Sequence, residues 1–185
     1  MIKGKGYLYI HIPKTGGTSI TSSLMTQHNS SWVGAADAHA VPDFPTDFRD
    51  LIRFAFVREP FDFYRSWYAY RRTTPGTGWS FDRHMEKSFS DFVRDCAEES
   101  LLTEFYKRFT PYVDVYGRYE RLEEDLNEIL VAAEAEPVTL PRLNTSDPEH
   151  ADMDLLTDDI IELVEKNEAD VFTLWNNTEN GLYEP

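Results

Sequence analysis

The sequence predicts an α/β domain built on a mostly parallel β-sheet. An apolar strand, a polar turn and an amphipathic helix follow one another in residues 7–27 and again in residues 53–72. A third strand and a further helix are predicted at residues 112–116 and 120–133. Alternating strands and helices favour parallel pairing, because each helix carries the chain back along the sheet. At this length we expect a single domain that spans residues 1–185.

The first unit of the pattern has the clearest limits. Residues 7–12 are apolar or β-branched, as in a buried strand, and Pro13 ends the run. Residues 17–27 then place Ile20 and Leu24 on one helical face.

The second unit pairs a strand at residues 53–57 with a helix that runs from Pro60 to about Arg72. Proline suits the first turn of a helix, because the amide hydrogen that it lacks has no helical acceptor there. The remaining apolar periodicity predicts helices at residues 89–96, at residues 101–109 and from the N-cap Thr157 onward. Residues 28–46 read as a loop because they are rich in Asn, Ser, Gly, Ala, Asp and Pro, and residues 73–82 because they contain Pro75, Gly76 and Gly78. Residues 137–150 contain three prolines and no periodicity, which also indicates a loop.

Composition excludes several classes of function. A net charge of −15 and a pI near 4.6 argue against general binding to nucleic acid or to an anionic membrane. The single cysteine, Cys96, excludes an intramolecular disulfide and a multi-cysteine metal site. No apolar run is long enough to cross a bilayer or to act as a signal peptide, so we expect a cytoplasmic protein.

The turn between the first strand and helix has the composition of an anion-binding site. It carries Lys14, the glycine pair Gly16 and Gly17, and the hydroxyls of Thr18 and Ser19. Glycines let backbone N–H groups approach an anion closely, and lysine adds a full positive charge. The Walker motif of nucleoside triphosphatases places its lysine after the last glycine, whereas Lys14 precedes both.

A second candidate anion contact follows the second strand. Arg58 ends that strand, and Ser66 lies two turns into the next helix. A planar guanidinium matches phosphate oxygens, and a serine hydroxyl adds a donor. Taken alone, an arginine here would more often pair with a carboxylate.

These two stretches resemble sulfotransferases that use 3′-phosphoadenosine 5′-phosphosulfate (PAPS), particularly the carbohydrate branch. Residues 11–19, HIPKTGGTS, are similar to that branch's 5′-phosphosulfate loop, and residues 56–68 are similar to its 3′-phosphate motif. Residues 116–125 and 140–146 are similar to later parts of the family pattern. The resemblance implies a P-loop-like, three-layer fold in which helices flank a central, mostly parallel sheet.

The resemblance also implies the donor site and the reaction. A sulfuryl group would pass from PAPS to a hydroxyl or amine by in-line displacement, leaving adenosine 3′,5′-bisphosphate, with Lys14 as a catalytic residue and no metal. The implied donor-binding residues are Lys14, Thr15, Gly16, Gly17, Thr18 and Ser19 for the 5′-phosphosulfate and Arg58 and Ser66 for the 3′-phosphate, with Arg142 as a possible further contact.

The acceptor's proton requires a base. His39 occupies the loop where the carbohydrate branch often carries its base histidine, while Asp37 is the substitute or orients His39. The acidic chain favours a small, sugar or lipid-linked acceptor. A small nucleotide kinase or hydrolase, or a nucleotide-binding module without catalysis, remain the alternatives.

Overall fold

The computed structural model describes residues 1–33, 48, 50–74, 76, 78–141 and 155–185. The chain divides into two compact units. The first comprises Met1–Arg58, Arg108–Asn144 and Asn177–Pro185, and the second comprises Glu59–Lys107 and Thr145–Asn176. The expectation of one domain over residues 1–185 stays a prediction.

All strands among the described residues belong to one five-stranded sheet in the first unit. In chain order they are β1 Ile2–Lys3, β2 Tyr7–Tyr9, β3 Ser31–Trp32, β4 Ile52–Val57 and β5 Val115–Arg118. Their order across the sheet is β3-β1-β2-β4-β5. The pairs β2–β4 and β4–β5 are parallel, whereas β1 is antiparallel to both β2 and β3. The predicted α/β class with a mostly parallel central sheet is therefore confirmed.

The strand limits differ from the prediction in three places. β1 and β3 were not predicted, because two-residue strands carry no periodicity. β2 ends at Tyr9 rather than at residue 12, although the Ile10 N–H still donates to the Phe54 carbonyl at 2.8 Å. The third predicted strand starts later, at Val115, because Thr110–Tyr112 forms a 3₁₀ turn.

The described residues contain seven α-helices. They are α1 Gly17–Gln27, α2 Pro60–Thr73, α3 Phe89–Glu98, α4 Leu101–Lys107, α5 Leu122–Ala132, α6 Asp158–Asn167 and α7 Ala169–Asn177. The limits of α1 agree with the sequence prediction. Instead of one long final helix, the chain forms α6 and α7, which meet at Glu168.

The first unit's core places α1 and α5 against one face of the sheet. Alternate strand residues face them, and the side chains in this cluster are almost completely buried. They include Tyr7, Tyr9, Phe54 and Phe56 from the sheet, Ile20 and Leu24 from α1, and Leu126, Ile129 and Leu130 from α5. Each large apolar side chain buried in this way contributes about 1.5–3 kcal/mol to the free energy of folding. This shared packing fixes where α1 begins relative to β2.

The second unit is helical in its described residues and is held by a buried carboxylate. Glu168 is fully buried and accepts hydrogen bonds from the Tyr64 hydroxyl (2.7 Å) and the Thr103 N–H (2.7 Å). Its burial raises the pKa of Glu168, against the opposing effect of these hydrogen bonds. The Glu168 side chain points inward to the N–H groups at the start of α4. This orientation explains why the chain breaks between α6 and α7.

An ion pair fixes the register of β4 and β5. The Arg53 Nε donates to Asp114 Oδ2 at 2.7 Å, and the Arg53 backbone N–H donates to the same oxygen at 3.0 Å. In return the Asp114 N–H donates to the Arg53 carbonyl at 2.7 Å. Burial raises the pKa of Asp114, but the hydrogen bonds from Arg53 outweigh it and leave that pKa below its ordinary value.

We expect Asp114→Asn to lower the free energy of unfolding in a pH-dependent way. Because the folded-state pKa is depressed, the carboxylate stabilises the fold above about pH 4 and loses this effect as pH falls through the folded-state pKa. The pair is partly exposed, so the loss at pH 7 should be about 1 kcal/mol or less. Urea denaturation at pH 7 and pH 3 measures it, with Asp50→Asn on the exposed Asp50 as the control. An equal loss at both pH values would contradict this account.

Candidate anion-binding site

Three neighbouring strands of the first unit end at the same edge of the sheet. β2, β4 and β5 run parallel, so their carboxyl ends lie side by side. The segments that follow them carry Lys14, Arg58 and Tyr119 respectively. Ligands of open α/β sheets bind in this position, outside the carboxyl ends of the strands.

The turn after β2 has an unusual backbone. Lys14 has a φ of 68° and Gly16 has a φ of 81°, so both lie in the left-handed region. Such a conformation is ordinary for glycine but costs a lysine about 1–2 kcal/mol. The buried Thr15 between them donates its hydroxyl hydrogen to the Ile12 carbonyl at 2.7 Å. The turn is therefore fixed from inside, and the Thr15 hydroxyl is already engaged.

Both glycines are required by close packing. A Cβ on Gly16 would lie 2.5 Å from a methyl carbon of Leu122 and 3.4 Å from the Tyr119 ring. A Cβ on Gly17 would lie 1.8 Å from Nε2 of His11. A side chain at either position would displace Leu122 or His11, and Gly17 is itself buried.

The start of α1 offers a positive electrostatic end to this edge. Its N-cap residue is Gly16, which has no side chain to cap the helix, and its first turn contains no acidic residue. The Ser19 and Ile20 N–H groups donate to the Gly16 carbonyl at 3.1 and 3.2 Å. The first N–H groups of a helix have no acceptor within it, and together with the helix dipole they favour an anion.

Arg58 connects the end of β4 with this turn. Its Nη1 donates to the Lys14 carbonyl at 2.9 Å, and its guanidinium carbon lies 4.0 Å from the centre of the Tyr119 ring. A hydrogen bond from a charged donor contributes about 1.5–3 kcal/mol, which is enough to offset the backbone cost at Lys14. Arg58 is therefore part of the turn as well as a candidate anion contact.

Most of the predicted donor-binding residues come together in the first unit. Lys14 is half-buried, Thr18 is exposed and Ser19 is largely buried at the start of α1. Ser66 belongs to the second unit, on α2, where it is 7% exposed. His39, Asp37 and Arg142 lie outside the described residues.

Sequence reasoning missed the part played by Tyr119 and His11. Tyr119 packs against both Arg58 and the Gly16 position, while the His11 ring packs against Gly17 and stacks on Tyr9 at 5.9 Å between ring centres. The available signal for Tyr119 was its position, because it directly follows β5 just as Arg58 directly follows the parallel strand β4.

The described part of the chain contains neither a candidate metal site nor a candidate membrane-spanning helix. Within it, no group of His, Cys, Asp and Glu side chains is arranged to hold a metal ion. None of the helices found there combines the length and the apolar character needed to cross a membrane.

A glycine turn, a helix N-terminus, a lysine and an arginine thus form a candidate anion site at the carboxyl ends of the parallel strands of an α/β domain. Residues 2–172 match the family described as the sulfotransferase family, and the chain belongs to that family. Its members are sulfotransferase enzymes and generally use PAPS as the donor. Searches of curated proteins and of solved structures returned no match. The predicted family and the predicted enzyme class are thus confirmed.

We expect Lys14→Gly to be more stable than Lys14→Ala by about 1 kcal/mol, because only glycine adopts the left-handed backbone without strain. Urea denaturation of the two variants measures the difference. The same two substitutions at Lys5, which is exposed and does not have a positive φ, serve as the control and should not favour glycine. Equal stability of the two Lys14 variants would show that the turn is not held in this conformation in solution.

Proposed function

We propose that this sulfotransferase moves a sulfuryl group from PAPS to a hydroxyl or amine of a small, sugar or lipid-linked acceptor by in-line displacement. Adenosine 3′,5′-bisphosphate is the second product. The observation that carries the proposal is the Lys14 turn before the glycine N-cap of α1, hydrogen-bonded to Arg58, which directly follows β4. A charged side chain and a helix dipole there suit an anionic group.

The turn fits the 5′-phosphosulfate end of the donor. Glycine at positions 16 and 17 adds no side chain between the backbone N–H groups and phosphate oxygens, and Thr18 and Ser19 lie in the first turn of the same helix. The Thr15 hydroxyl is bonded to Ile12, so any contact from Thr15 would come from its backbone. PAPS supplies the activated sulfuryl group. Lys14 then stabilises the charge that develops on the oxygens as the bond to the leaving phosphate breaks.

The 3′-phosphate is assigned to Arg58 and Ser66 by their sequence pattern. Arg58 carries five N–H donors, so its bond to the Lys14 carbonyl is compatible with a contact to phosphate. Ser66 is assigned to the 3′-phosphate because of its spacing from Arg58 in the sequence. Arg142 is a further candidate contact to the nucleotide.

His39 is the proposed base, since its ordinary pKa near neutrality suits proton removal from a hydroxyl. Asp37 either replaces it or orients it. Turnover in His39→Ala tests this role, because bisphosphate binding should not depend on the base.

The net charge bears on the acceptor, and the position of Lys14 bears on the alternative reactions. A chain with a net charge of −15 is poorly suited to a strongly anionic polysaccharide, which favours a small or weakly charged acceptor. A kinase or triphosphate hydrolase is disfavoured because Lys14 precedes the glycines. A nucleotide-binding module without catalysis would not need Lys14 at the reacting end.

Adenosine 3′,5′-bisphosphate should raise the thermal unfolding midpoint more than AMP or ATP at equal concentration. A ligand that binds only the native state stabilises it by about 2.7 kcal/mol at a hundred times its Kd. Differential scanning fluorimetry measures the shifts. Arg58→Ala should remove most of the preference for the bisphosphate, whereas Arg108→Ala, at an exposed arginine of the first unit, should retain it. Equal shifts for all three nucleotides, or none, would contradict the proposal.

A further inference from the structure

We propose that Arg58, supported by the ring of Tyr119, is a positioning residue for Lys14, in addition to any contact that Arg58 makes with a 3′-phosphate. The two side chains set the backbone conformation of Lys14 and so the direction in which its side chain leaves the turn. The inference rests on the proposed function for the chemical role of Lys14, and its geometry lies entirely within the first unit.

A hydrogen bond from Arg58 holds the Lys14 peptide. Lys14 has a φ of 68°, and its carbonyl accepts the hydrogen bond from Arg58 Nη1 at 2.9 Å. The carbonyl carbon and Cβ are both bonded to the same α-carbon, so a bond that fixes the peptide also fixes the direction of the Cα–Cβ bond from which the lysine side chain extends. Relaxation of Lys14 to an ordinary backbone conformation would turn the carbonyl away from Arg58 and start the side chain in another direction.

Arg58 is in turn held by the ring of Tyr119. Its guanidinium carbon lies 4.0 Å from the centre of the Tyr119 ring, within the range of a cation–π contact. The same ring would lie 3.4 Å from a Cβ on Gly16, so Tyr119 contacts both the arginine and the turn that the arginine binds. The segment around Tyr119 is itself anchored, because the Arg118 N–H donates to the buried carboxylate of Asp125 at 2.7 Å.

This arrangement separates two roles for Arg58. If Arg58 served the 3′-phosphate alone, its removal would not affect a nucleotide that lacks this group. If Arg58 also positions Lys14, its removal loosens the turn in the ligand-free protein and weakens binding of adenosine 5′-phosphosulfate, which has no 3′-phosphate. Loss of the Tyr119 ring should produce the same two effects in weaker form.

Hydrogen exchange of the ligand-free protein tests the conformational part. The backbone amides of residues 10–20 should exchange several-fold faster in Arg58→Ala and in Tyr119→Leu than in the wild type. Tyr119→Phe keeps the ring and should exchange at the wild-type rate, as should Arg108→Ala. If Arg58→Ala does not fold, Arg58→Lys is used in its place. This variant keeps the positive charge but loses the planar guanidinium.

Isothermal titration with adenosine 5′-phosphosulfate tests the consequence for the site. Its affinity should fall about tenfold in Arg58→Ala and several-fold in Tyr119→Leu, while Tyr119→Phe retains it. Unchanged exchange in the Arg58 and Tyr119→Leu variants would overturn the proposal, as would unchanged affinity for adenosine 5′-phosphosulfate in variants that lose bisphosphate binding. A wild-type protein that binds neither nucleotide would contradict the proposed function, and the exchange rates would then decide the role of Arg58 by themselves.

Discussion

The hydrogen bond from Arg58 to the Lys14 carbonyl is the interaction on which the candidate site depends. It joins the ends of two neighbouring parallel strands and offsets the cost of a left-handed lysine. Without it, the turn would have a glycine-rich sequence but no fixed direction for its single charged side chain. With it, Lys14 is held in the turn that leads into the N-terminus of α1, where an anion is favoured.

Packing in the first unit makes this bond possible. The shared core of α1 and α5 sets both helices against one face of the sheet, and Leu122 at the start of α5 reaches the Gly16 position. The local positive charge arises from N–H groups at the start of α1 and from the Lys14 and Arg58 side chains. A chain with a net charge of −15 can thus present a site for an anionic donor without a broad basic surface.

Local signals in the sequence were enough to predict the centre of the fold and the candidate turn. The limits of α1 were correct because a proline, two glycines and helical periodicity follow one another directly. β1 and β3 were missed because two residues carry no periodicity, and β3 in addition pairs with a strand far away in the sequence. The break at Glu168 depends on a carboxylate that caps another helix. The contact of Tyr119 with Arg58 joins residues far apart in the sequence and needed the parallel register of β4 and β5 to be seen.

Transfer of labelled sulfate from PAPS to a panel of sugar, lipid-linked and small hydroxyl or amine acceptors tests the central claim most directly. The wild type should label at least one acceptor and release adenosine 3′,5′-bisphosphate in equal amount. Lys14→Ala should lower the rate by about 10²–10³, and His39→Ala by about 10² or more, with bisphosphate binding intact in the latter. Transfer at the wild-type rate in Lys14→Ala would contradict the account, as would a wild-type protein that binds the bisphosphate but labels none of the acceptors.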